Sequence, residues 1–134
     1  MNLLRLVVSL LLLAGAAASA PAEEPLVCRL DALSPVERER HQRLGEMLRR
    51  AVTDTAELPT GYALTLDLSR LPVDAKGLPV CVVEVAEWVD LESRCCPFLD
   101  FEISLRDKGR SVKLRLTGGT NVKTFLKEEL ALGK

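Results

Sequence analysis

The chain has 134 residues, 28% of them charged, and Lys and Arg nearly balance Asp and Glu to leave a formal charge of −1. No basic cluster with interleaved aromatics follows from that balance, which excludes a phosphate-tracking nucleic-acid surface. A single histidine leaves few hydrolase mechanisms open, and the length suits one ordinary domain with its own core.

Residues 1–20 carry one cation, Arg5, then the apolar run from Leu6 to Leu13, then the small residues Ala14 to Ala20. That is the order of a secretory signal. The apolar core is well short of the roughly 20 residues a spanning helix needs. The expectation is therefore an exported protein, periplasmic or secreted, cleaved near Ala20 and free of the membrane afterwards. Residues 21–33 read as an extended leader with Pro21, Pro25 and Cys28, and residues 34–134 as one domain.

Ser34-Pro35-Val36-Glu37 is a capping box with proline in the first turn, so a helix is expected from Pro35 to about Val52. Val36, Arg40, Leu44, Met47, Leu48 and Ala51 recur along it at helical spacing. Tyr62, Leu64, Leu66 and Leu68 alternate with polar or small residues, the period of a half-buried strand. From about Leu78 to Cys95 the β-branched valines suit a strand, yet a strand of that length lies far outside the usual range, so a helix is expected. Leu99, Phe101, Ile103 and Leu105, then Val112, Leu114 and Leu116, alternate on either side of Asp107-Lys108-Gly109-Arg110, which predicts a hairpin. Thr120 is placed to cap a last helix with the stripe Val122, Phe125, Leu126 and Leu130. The order α-β-α-β-β-α gives an α+β fold, a small two-layer sandwich whose three-stranded sheet is covered by helices.

The chemistry concentrates in Glu92-Ser93-Arg94-Cys95-Cys96-Pro97-Phe98. Adjacent cysteines are a poor choice for packing alone, and Pro97 disfavours helical dihedrals at Cys96, so the two thiols project from a bend. At about 100° per residue, Leu78, Val82, Val85 and Val89 share a face that Cys96 continues, and Glu92 falls close to it. A buried carboxylate requires a partner: either Arg38 or Arg40 of the first helix, or a role beside the thiols. Three readings are open. Thiolates favour soft ions such as Zn, Cu(I) or Hg(II), with Cys28 as a third donor and Glu92 or His41 as a fourth. A structural bridge from Cys28 to Cys95 or Cys96 is the non-catalytic alternative, a disulfide-stabilised interaction module. A thiol oxidoreductase comes third, because a helix C-terminus disfavours the thiolate and there is no C-x-x-C. Cys81 is expected to be a packed core thiol, and His41 a surface residue. Thr117-Gly118-Gly119-Thr120 reads as a strand-to-helix turn.

The combination of Cys28-x-Leu30-x-x-Leu33-Ser34-Pro35-x-Glu37-Arg38, Gly61-Tyr62, Glu92-x-x-Cys95-Cys96-Pro97-Phe98-x-x-Phe101 and Leu116-Thr117-Gly118 resembles small bacterial proteins of unassigned activity that often carry E-R-x-C-C-P-F. Ser93 stands where that family has its first arginine. Some such proteins accompany heavy-metal resistance functions, which implies a thiophilic metal as the ligand class and carries over to Cys28, Glu92, Cys95 and Cys96. The sequence thus points first to a small exported protein binding a soft metal ion through Cys28, Cys95, Cys96 and Glu92, with catalysis left open as the lesser expectation.

Overall fold

The computed structural model describes residues 26–130, so the expected signal segment and the start of the leader lie outside the described residues. After Leu26–Arg29 a single 3-10 turn, Leu30–Ala32, leads into helix α1, Pro35–Ala51. The capping box forms: the Glu37 N–H donates to Ser34 Oγ at 3.3 Å and the Ser34 N–H to Glu37 Oε2 at 2.8 Å. Pro35 opens the helix at a position whose N–H would have had no partner.

Helix α1 passes without a loop into strand β1, Val52–Leu58. This strand corrects the expected three-stranded sheet to four. It pairs with β2, Gly61–Asp67, from Leu58↔Gly61 to Val52↔Leu66, with an irregularity between Val52 and Asp54. The sheet order is β1-β2-β4-β3, antiparallel throughout. As an edge strand β1 needs no second hydrogen-bonding neighbour and buries none of its side chains, so it carries no alternation by which to announce itself.

Helix α2 spans Val82–Cys95. It begins later than the valine pattern suggested because Pro79 disfavours helical dihedrals at Leu78, which is 56% exposed. The helix is capped instead at Cys81, whose N–H donates to the Glu84 carboxylate at 3.0 Å. Cys81 is accordingly an exposed free thiol, and its expected place in the core is wrong. The buried residues of α2 are Val85, Trp88, Leu91, Glu92 and Cys95, a face turned slightly from the one drawn through Leu78 and Val82.

Strands β3, Leu99–Arg106, and β4, Ser111–Gly118, form the expected hairpin, with Arg106 opposite Ser111. Its turn takes positive φ at Asp107, Lys108 and Gly109, where only the glycine is free of a Cβ penalty. Helix α3, Val122–Glu129, follows, with Asn121 rather than Thr120 at its cap. Its Val122, Phe125 and Leu126 are buried as their spacing implies.

One sheet face makes the core. Tyr62, Leu64 and Leu66 stand opposite Leu116, Leu114 and Val112, all buried against Leu44, Leu48, Val85, Trp88, Leu91, Phe125 and Leu126 from the helices. Lys113 and Arg115 between them are exposed. Two glycines of the sequence motifs are explained by close backbone approach. A Cβ at Gly61 would collide with the Leu116 carbonyl oxygen, and one at Gly118 would meet the Phe98 carbonyl oxygen at 2.7 Å.

Candidate metal and thiol centre

The end of α2 sets the site. Cys95 is its last helical residue, and Cys96 leaves the helix at φ −121°, ψ 69° while its N–H still donates to the Glu92 carbonyl at 2.7 Å. Because the chain turns between them, both adjacent thiols point inward, and each is fully buried. The leader arrives at the same point: the Arg29 N–H donates to the Cys95 carbonyl at 2.7 Å, and Cys28 is bonded to Cys96 as a disulfide with a Cα–Cα distance of 4.7 Å. Of the two bridges considered from the sequence, Cys28 to Cys96 is the one formed.

Glu92 lies beneath the sulfurs, one turn back on α2 and 4% exposed. Its Oε1 is 3.3 Å from Cys96 Sγ and its Oε2 3.8 Å from Cys95 Sγ. Only the Cys95 thiol can donate, since a disulfide sulfur carries no proton. Cys95 Sγ is also 3.9 Å from Cys96 Sγ. Donor atoms of Cys28, Glu92, Cys95 and Cys96 all fall within 4.8 Å of one another, so the structure brings together the four residues selected from the sequence.

The partner of Glu92 differs from expectation. Arg40 is taken by Glu87, through bonds of 2.6 and 2.9 Å, and Arg38 makes no ion pair among the described residues. Glu92 Oε2 instead pairs with His41 Nε2. His41 is not a surface residue: its ring stacks on Trp88 with centroids 6.1 Å apart and planes 12° from parallel, and Trp88 meets Phe101 edge-on. The signal was present in the spacing, because His41 precedes the buried Leu44 and Leu48 by three and seven positions and so shares their face. Val36, placed on that stripe from the sequence, is 74% exposed.

Arg94 turns away from the thiols to Glu37, at 2.8 Å, tying the end of α2 to the start of α1. Glu37 is held down at about 2, first by the Ser34 backbone N–H and then by Arg94.

Burial, and next the Glu92 charge, push the Cys95 thiol up to about 11. Its thiolate fraction at pH 7 is then on the order of one in ten thousand. In the native oxidised protein, Cys95 should resist iodoacetamide at pH 7 while exposed Cys81 is modified, and its rate should climb through pH 9 toward 11. Peptide mapping after timed alkylation reads both sites, and equal rates at pH 7 would show that Cys95 is not shielded. Such a thiol is a poor nucleophile, which argues against the oxidoreductase reading.

Cys28, His41, Trp88 and Glu92 also line part of a cavity of about 670 Å³, whose walls include Leu48, Leu64, Leu114 and Phe125. No family model, curated protein or solved structure matches the chain. Among the described residues no helix is long and apolar enough to cross a membrane.

Proposed function

We propose that the protein binds a thiophilic metal ion, Zn, Cu(I) or Hg(II), at Cys28, Cys95, Cys96 and Glu92 once the Cys28–Cys96 disulfide is reduced. The observation that carries this reading is the convergence of three sulfurs and one carboxylate within 4.8 Å. Three soft donors and one hard one suit such ions and disfavour Mg or Ca, which require oxygen ligands. His41, bonded to Glu92 Oε2, is the kind of second-layer partner that orients a ligating carboxylate, and leaves Oε1, on the Cys96 side, free to ligate. The oxidised form is the closed state, because two of the four donors are then committed to each other. The family resemblance agrees with this reading, whereas the expected export to the periplasm or exterior, where disulfides persist, favours the bridged form.

A second reading is a disulfide-stabilised interaction module, and the disulfide itself favours it: with the adjoining Arg29-to-Cys95 backbone bond, it fastens the leader to the body of the fold. Native mass spectrometry of the protein, before and after reduction and with added Zn(II), Cu(I) or Hg(II), separates the two. Metal binding predicts one equivalent taken up only after reduction, and its loss in a Cys95→Ser/Cys96→Ser variant. A reduced, folded protein that takes up no metal would leave the structural module standing.

A further inference from the structure

The four donors differ in access. Cys95 and Cys96 are fully buried, whereas Cys28 and Glu92 form part of the cavity wall. The donor group therefore faces the cavity on one side; Leu48, Leu64, Leu114, Phe125 and Trp88 form an apolar part of the remaining wall, and charged side chains such as Arg38 and Glu129 line another part. A bare ion held by thiolates occupies the space of one atom and makes no use of the apolar part of a cavity of about 670 Å³. Cavities of roughly 300–1,000 Å³ with apolar walls and a few converging polar groups are those that hold organic ligands. Here the converging groups are soft metal donors, so a single ligand satisfying both halves must be a soft cation and an apolar organic body at once.

Resting on the reading that the reduced cluster takes a thiophilic cation, we infer that its cargo is an organometallic cation, a soft metal ion carrying one carbon-bound apolar group. The metal sits at the sulfurs of Cys28, Cys95 and Cys96, and the organic group extends into the cavity beside Trp88. In the binding step each thiol that ligates the metal loses its proton to solvent as its sulfur–metal bond forms, and the water or soluble thiolate that held the cation is released. The metal–carbon bond stays intact and no electrons move. The reduction that precedes it takes two electrons and two protons from a dithiol, which leaves as its own disulfide.

The test uses the full mature chain with Cys81→Ser, since the exposed Cys81 thiol would capture the probe by itself. After dithiol reduction and removal of the reductant, Cd(II), methylmercury and phenylmercury are titrated in competition with a soluble thiol. One equivalent of each is expected, with phenylmercury held at least about tenfold more tightly than methylmercury. Methyl resonances of Leu48 and Leu114 should shift with the phenyl probe and barely with the methyl one. Gly45→Leu, which projects a side chain from the cavity wall beside Trp88, should abolish the phenyl preference while Cd(II) still binds. Equal affinities for the two mercurials in the Cys81→Ser protein would overturn this inference and leave the soft-ion site intact. Failure of Cd(II) and both mercurials to bind would sink the soft-ion site and this inference with it.

Discussion

Cys28→Ser should lower the free energy of unfolding by about 4 kcal/mol at 25 °C. The bridge it removes joins residues 68 apart in sequence, and for a closed loop of that length the chain-entropy account of a cross-link gives about that figure. Urea denaturation of the oxidised protein is the measurement, with midpoint and slope both recorded. The midpoint should drop, and the slope should rise because the unfolded chain, no longer looped, exposes more surface. Reduced wild type should match the variant in both respects, since each lacks only the bridge. A midpoint unmoved by either treatment would show that the leader is held by other contacts and that the bridge adds no stability. The same experiment weighs the two proposed functions, because a large structural contribution is what an interaction module needs and a metal-binding protein must be able to forgo.

The second large effect is expected at His41. Replacing it with alanine leaves Glu92, whose side chain is 5% exposed, without its hydrogen-bond partner on α1. Leaving a buried polar group without its partner costs about 1–3 kcal/mol, because that group remains desolvated. The loss of the ring also removes the stack on Trp88. Adding Glu92→Leu to His41→Ala should recover most of that loss, since removing both partners removes the unsatisfied buried group. A double-mutant cycle by chemical denaturation gives the coupling energy directly. Additive losses would mean that the two side chains do not depend on each other. If the coupling holds, Glu92 is kept in the core by His41 rather than by an arginine.

Much of this arrangement can be read from the residues, and the places where it cannot share a cause. The capping box at Ser34, the hairpin around Gly109 and the stripe of α3 are local patterns, each complete within a few residues, and all three form. The convergence of Cys28 on Cys95 and Cys96 is a long-range contact, yet it was legible because a thiol pair at a helix end has few uses in a core. Strand β1 was hidden because Thr53, Asp54, Ala56 and Glu57 are all exposed, leaving no apolar period to detect. Cys81 was misplaced by extending the helical phase back across Pro79. His41 was masked by its neighbours: Arg38, Arg40 and Arg43 give the segment a polar look, although position 41 itself turns inward. In each case a side chain's surroundings depended on where an element starts or which way it is rolled, and composition does not encode either.

The direct passage of α1 into β1 makes the distance from His41 to the sheet a fixed count of residues. With no connecting loop to absorb slack, the ladder pairing of Val52 with Leu66 acts as an index mark for the helix. One residue inserted after the fully buried Ala51 would roll α1 by about 100° if the strand kept its pairing, carrying His41 away from Glu92 and the thiols. The stretch from His41 to Val52 is therefore length-locked: its residues can vary, but their number cannot, and lineages that keep this site should show no gaps there.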